Sequence, residues 1–193
     1  MQRRAFLFAL AWLGACSTTV PLPSGTRVYR SDLRLSGRLS VSYRADGTPR
    51  SMQGKFLWTQ RDQQIDIELL TPLGQTMARI AIAPGRARIE QSGGDTREAS
   101  SIEQLTEQTL GWALPAEGLR YWLQGFVRDS LGQLTTITPE QSGRLRSDGW
   151  QLRYAAWQAD RSTAVPKRID FTREAASGEL SVRLVIDRWT DEE

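Results

Sequence analysis

The 193-residue sequence contains no histidine and a single cysteine, Cys16. Nucleophilic catalysis of the Ser-His or Cys-His kind and histidine-ligated zinc are excluded at once, and a lone cysteine rules out a disulfide framework. Charge of one sign is equally scarce. Arg3 and Arg4 are two of the 25 basic side chains, and without them 23 face 22 acidic ones, a balance that offers no field to steer nucleic acid. Asp66 and Glu68 share one side of a strand pattern and read as a solvated face rather than an acid and base pair. Ser92-Gly93-Gly94 is followed by neither Lys-Ser/Thr nor a helical pattern, so no phosphate-binding loop is expected there. No catalytic residue and no metal ligand is assigned, and an enzyme is not expected.

What is present begins at the N-terminus. Arg3 and Arg4 precede an uncharged run from Ala5 to Ala15 that is too short to span a bilayer as a helix and reads as a signal peptide. No later apolar run approaches spanning length. The run ends Leu13-Gly14-Ala15-Cys16, which resembles the lipobox of bacterial lipoproteins. On that resemblance residues 1–15 are removed, and Cys16 carries a thioether-linked diacylglycerol and an N-acyl chain. No other cofactor is implied. At about 0.8 kcal/mol per buried methylene, such an anchor is effectively permanent. Ser17 rather than Asp after the cysteine implies, by resemblance to the lipoprotein sorting rule, delivery to the outer membrane. Residues 16–31 hold Pro21, Pro23, Ser24 and Gly25 with little periodicity and are expected to form a flexible tether. The remaining length, 32–193, suits one domain with a sizeable core.

From Leu33 the pattern turns to strict alternation. Leu33, Leu35, Gly37, Leu39, Val41 and Tyr43 face one way, with Arg34, Ser36, Arg38 and Ser40 between them. Gly54, Phe56 and Trp58 continue the pattern after an Asp46-Gly47 turn, and Pro84-Gly85 is a further turn before a short strand from Ala87 to Gln91. Weaker strands are expected near 133–137, 144–146 and 167–172, with stronger ones from Trp150 to Tyr154 and from Glu179 to Trp189. Helical signals are confined to the middle. Ser100 and Glu103 predict a capped helix ending at Gly111, and Leu119, Trp122 and Leu123 share a face of a second helix from Pro115 to Gly125. Eight to eleven strands with a helical interlude predict a mainly β protein, a curved antiparallel sheet with helices on its concave side. A packed core and a ligand cavity demand the same alternation, so both stay open at this point, as does the use of the six tryptophans beyond the signal. There is no internal repeat and no low-complexity tract.

The segment Ile65 to Ile82 reads as two strands, Ile65, Ile67 and Leu69 against Ala78, Ile80 and Ile82, joined by Thr71-Pro72-Leu73-Gly74-Gln75-Thr76. Pro72 and Gly74 punctuate a turn, yet the residue between them is a leucine where a polar one is expected. Leu73 either folds back onto the sheet or projects as an apolar finger meant for something outside the protein.

Taken together, Ser36-Gly37-Arg38-Leu39-Ser40-Val41, Gly54-Lys55-Phe56-Leu57-Trp58, Leu70-Thr71-Pro72-Leu73-Gly74, Leu110-Gly111-Trp112-Ala113-Leu114-Pro115 and Leu119 to Gly125, in that order and behind a lipobox, resemble the LolB family, the outer-membrane lipoprotein receptors of the lipoprotein-localisation system. The resemblance covers about Leu33 to the C-terminus and is strongest up to Gly125. It implies an incomplete, unclosed antiparallel β-barrel with a short helical lid over a hydrophobic cavity. It implies also a non-enzymatic receptor, anchored in the outer membrane and facing the periplasm. Such a receptor takes acylated lipoproteins from a LolA-like periplasmic carrier and inserts them into the inner leaflet of that membrane. A monomer is expected. The residues implied are Cys16 for lipidation, Pro72, Leu73 and Gly74 as a membrane-insertion loop, and Leu35, Leu39, Phe56, Trp58, Ile67, Ile80, Trp112, Leu119 and Trp122 as the acyl-chain cavity. Two rival readings are a structural or assembly lipoprotein with a solid core and the soluble carrier itself, from which Cys16 separates this chain.

Overall fold

Residues 21–129, 131–141, 143–175 and 178–190 are described by a computed structural model; Cys16 lies outside them. The alternation read from the sequence becomes long strands with one buried face. β1 (Leu33–Ala45) buries Leu33, Leu35, Gly37, Leu39 and Val41 while Arg34, Arg38 and Ser42 stay exposed. β2 (Thr48–Arg61) buries Gly54, Phe56, Trp58 and Gln60. β3 (Gln64–Leu70) and β4 (Thr76–Ala83) form the expected hairpin, with Ile65 opposite Ile82 and Ile67 opposite Ile80. β5 (Arg86–Gln91) and β6 (Thr96–Ala99) complete the first half.

Helices α1 (Ile102–Leu110) and α2 (Ala116–Trp122) and a small separate hairpin, β7 (Phe126–Arg128) with β8 (Leu134–Thr136), come next. β9 (Arg144–Ser147), β10 (Trp150–Asp160), β11 (Thr163–Ala175) and β12 (Gly178–Thr190) finish the chain. The large sheet is antiparallel throughout and runs β6-β5-β4-β3-β2-β1-β12-β11-β10-β9. The first and last strands therefore pair at its centre, Leu39 opposite Leu184 and Val41 opposite Val182. Its edges, β6 and β9, do not meet, so the barrel is unclosed, and the helical segment connects the two edges in sequence. Close passage at the seam requires Gly37. A Cβ there would stand 2.1 Å from the Val185 carbonyl oxygen and 2.8 Å from the Phe56 ring.

The sequence reading differs from the structure in three places. The α1 cap is Ser101 rather than Ser100: the Gln104 N–H donates to its hydroxyl at 3.4 Å, while Glu103 takes the Arg173 guanidinium at 3.2 Å instead of reaching back to the cap. Strands β6 and β7 escaped notice because they are four and three residues long and show no alternation of burial. The third difference is the expected tether, because the chain from Gly25 onwards lies docked on the domain. The Gly25 N–H donates to the Ser162 carbonyl at 3.0 Å, and the Asp62 N–H to the Ser31 carbonyl at 3.1 Å. Two buried glutamines hold the same strap: Gln60 donates to the Tyr29 hydroxyl and the Arg30 and Ser31 carbonyls, and Gln124 both accepts from the Arg30 N–H and donates to its carbonyl. A buried amide needs partners for its desolvated dipole, and here an irregular segment supplies them. Pro and Gly content alone could not show this.

Candidate acyl-chain site

Gly111, in the left-handed region at φ 83, ends α1 and turns the chain inward, so that Trp112, Ala113 and Leu114 are all buried before α2 begins. One side chain pins this link. The Thr106 hydroxyl donates to the Ile102 carbonyl and accepts from the Leu114 N–H, each at 2.9 Å. α2 then lays Leu119, Trp122 and Leu123 onto the sheet. The Trp122 ring meets Trp150 at 6.2 Å and Phe171 at 5.7 Å between centroids, and its carbonyl accepts the Tyr154 hydroxyl at 3.1 Å. Burial pushes the Tyr154 phenol well above its ordinary pKa, so it stays protonated as a donor.

Beneath α2 and the α1–α2 link lies an enclosed space of about 30 Å³. Leu39, Phe56, Trp58, Ile67 and Leu69 line it from β1 to β3, Phe171, Val182 and Leu184 from β11 and β12, and Trp112, Leu114, Leu119 and Leu123 from the lid. Its lining is apolar throughout. Six of the nine residues expected from the sequence are here: Leu39, Phe56, Trp58, Ile67, Trp112 and Leu119. Leu35, Ile80 and Trp122 are buried but lie outside the lining. The alternation of Leu69, Val182 and Leu184 carried the same signal as that of the residues chosen, but which stretch of a curved sheet falls under the lid is not a property of periodicity.

The β3–β4 turn resolves the two readings of Leu73, which is 91% exposed, the most exposed large apolar side chain among the described residues. The turn is closed by three hydrogen bonds: Thr71 N–H to the Gln75 carbonyl at 2.8 Å, Gly74 N–H to the Thr71 carbonyl at 2.9 Å, and Gln75 N–H to the Thr71 hydroxyl at 3.1 Å. Gly74 sits at φ 90, a conformation L side chains rarely adopt. The outward leucine is thus held by a fixed turn, well away from the sheet.

Comparison with known proteins bears on what this arrangement serves. Residues 31–189 match the family model of the outer membrane lipoprotein LolB. The outer-membrane lipoprotein LolB of Cupriavidus necator is 38% identical over 98% of this chain and 98% of its own length, and that of Thiobacillus denitrificans 34% identical over 98% of each. Among solved structures, a LolA superfamily protein from Nitrosomonas europaea superposes with a TM-score of 0.49 at 14% identity, over 86% of this chain and 89% of that one. Matched along nearly its whole length, the chain belongs to the outer membrane lipoprotein LolB family, whose members are non-enzymatic lipoprotein receptors.

Proposed function

We propose that the apolar space under α2 is where this receptor takes up the acyl chains of its cargo, with Cys16 as the lipidated anchor and Leu73 as the tip that meets the membrane. The broad role follows from the family: an outer-membrane lipoprotein that receives lipoproteins from LolA and inserts them into the outer membrane. The observation that carries the finer reading is the convergence of twelve apolar side chains, from both halves of the sheet and from the lid, on one enclosed space.

A volume of about 30 Å³ is the share of a single water in the liquid, so acyl chains enter only as the lid lifts. The holding interactions are few and local: Thr106 to Leu114, Tyr154 to the Trp122 carbonyl, and the Arg120 guanidinium to the Asp62 and Gln63 carbonyls. Each is worth about 1 kcal/mol net, whereas a chain of a dozen methylenes leaving water brings roughly 10 kcal/mol. Cargo binding can therefore open the lid without a nucleotide. The indole N–H groups of Trp58 and Trp112 in the lining are buried without an acceptor. A solid core would bear about 1–3 kcal/mol for each such group, and the ester and amide carbonyls of an acylated cargo are acceptors of the missing kind.

The test is transfer of a lipoprotein whose acyl chains carry bromine, which quenches tryptophan emission only at short range. Loading from the carrier is expected to quench the emission of the wild type, and less so that of a Trp58→Phe, Trp112→Phe double variant. Full loading with no quenching would place the chains elsewhere.

A further inference from the structure

The Leu73 turn has a counterpart on the other side of the barrel. Residues 71–75 read Thr-Pro-Leu-Gly-Gln, and residues 129–133 read Asp-Ser-Leu-Gly-Gln. The hydrogen bonds correspond one for one. Asp129 N–H donates to the Gln133 carbonyl at 3.0 Å, Gly132 N–H to the Asp129 carbonyl at 3.0 Å, and Gln133 N–H to Asp129 Oδ1 at 2.9 Å, the carboxylate standing where the Thr71 hydroxyl stands in the first turn. Gly132 has φ 78 against 90 for Gly74, and a Cβ on either glycine would meet nothing within 4 Å. Leu131 is 80% exposed, and Leu134 just beyond it is 45% exposed.

Strand register puts both tips at one rim. Leu70 lies opposite Lys55, and Lys55 opposite Arg38, so the chain leaves β3 at the end towards which β1 runs. On the far side Gln151 pairs with Thr172, Thr172 with Ser181 and Ser181 with Ser42, which places the β9–β10 turn at that same end. β7 starts at the opposite end, where Phe126 packs on Tyr29 beside Gln60, and finishes with the Arg128 N–H donating to the hydroxyl of Ser147, just before the β9–β10 turn. The 129–133 turn therefore emerges at the Leu73 rim. The other turns there carry Asp46-Gly47, Ser92-Gly93-Gly94 and Asp148-Gly149, polar tips of the ordinary kind.

We infer that Leu131, with Leu134 behind it, is a second membrane-entering tip, and that the two leucine turns together set this rim onto a lipid bilayer. The inference rests on the reading of Leu73 as a membrane tip. One tip leaves a tethered domain free to pivot, whereas two tips on either side of the mouth fix its direction towards the leaflet.

The experiment uses the full lipidated chain in vesicles of phosphatidylethanolamine and phosphatidylglycerol, with an environment-sensitive fluorophore on Leu131→Cys, on Leu73→Cys or, as a control at the opposite rim, on Pro84→Cys. Cys16 is the only native thiol, and its lipid blocks labelling there. Blue-shifted emission at 131, quenched by lipids bearing nitroxide on their acyl chains, with the label at 84 remaining in water, is the expected result. If the label at 73 reports lipid and that at 131 stays in water, the second tip is overturned and the first stands. If 131 reports lipid and 73 does not, the second tip is upheld and the Leu73 reading fails. Silence at both overturns both. A shift at 131 produced by the carrier protein without vesicles would make this turn a protein-docking surface and overturn the membrane assignment.

Discussion

Trp122 lies across Gly118, one helical turn before it, so closely that a Cβ on Gly118 would stand 2.3 Å from the indole Cζ2. Alanine at this position gains about 1 kcal/mol of helix propensity, and an indole that could shift freely would let Gly118→Ala stabilise the protein. Trp122 is hemmed in by Trp150 and Phe171, and overpacking of that kind costs about 1–3 kcal/mol. Gly118→Ala is therefore expected to lower stability in urea by about 1 kcal/mol and to change the near-ultraviolet dichroism of the tryptophans. A gain in stability would show that the lid yields at this point.

Arg27 ties the N-terminal strap to three parts of the domain at once. Its guanidinium donates to the carbonyls of Ala164 and Ile137 and, at 3.2 Å, to that of Gly125, and it lies 5.1 Å from the Trp157 ring centroid and 5.6 Å from that of Phe126. Burial lowers its pKa from the ordinary arginine value, with Tyr154 acting weakly the other way, yet arginine retains its charge throughout the physiological range. Arg27→Ala leaves these carbonyls without that donor and is expected to cost about 2–4 kcal/mol. Arg27→Lys should recover only part of this, because an ammonium is a point charge without the fork. Denaturant unfolding of the two variants checks the order, and equal stability of Arg27→Lys and wild type would argue against multiple bonding.

Leu73→Glu is expected to separate two steps. Burying a leucine is worth about 1.5–3 kcal/mol, too little to anchor a protein already held by lipid but enough to bias a loaded domain towards the bilayer. Exposed as it is, Leu73 can be replaced without loss of fold. Transfer from carrier to receptor should stay near normal while transfer onward to liposomes falls at least tenfold, roughly the lost burial. Insertion at the wild-type rate would sink the proposal.

Cys16→Ala behind a conventional secretory signal should yield a soluble protein that still accepts and inserts lipoproteins in vitro. The lipid is proposed to place the domain, which has its own lid, interior and rim. Loss of both steps in the soluble form would give the anchor a part in the transfer itself.

Asp170 on the outer face of β11 takes Arg168 at 2.8 Å, Arg183 at 2.9 Å and Arg153 at 3.4 Å. Partial burial alone would raise the pKa of its carboxyl group, but the hydrogen bonds and charges of Arg168 and Arg183 outweigh that and hold it below the ordinary carboxylate value. A depressed folded pKa contributes stability that is present above the unfolded value of about 3.9 and lost as pH falls through the folded one. Asp170→Asn should therefore be less stable than wild type at neutral pH, with the gap closing in acid. Melting temperatures of the pair across this range decide it, and a gap independent of pH would remove the ionic explanation.

The sequence by itself determined the local features. Alternation fixed the inward faces of β1 to β4 and β12, because side chains on a strand have a period of two whatever surrounds them. Gly111 and Gly125 set the helix ends, both adopting positive φ, and Pro72 with Gly74 marked a turn whose leucine had no local reason to be there. Leu13-Gly14-Ala15-Cys16 carried its meaning in four residues. Tertiary structure decided what depends on distant segments meeting. Phe171 and Val182 join Leu39 and Phe56 around one space only because β1 and β12 pair across the whole chain. Residues 25–31 are docked rather than loose because Gln60, Gln124 and the Ser162 carbonyl present partners that no composition reveals. The two Leu-Gly-Gln turns look unrelated in a sequence without repeats. They form a pair only once strand register brings their ends of the sheet to one rim, since register is set by pairing between strands and not by the residues of either strand alone.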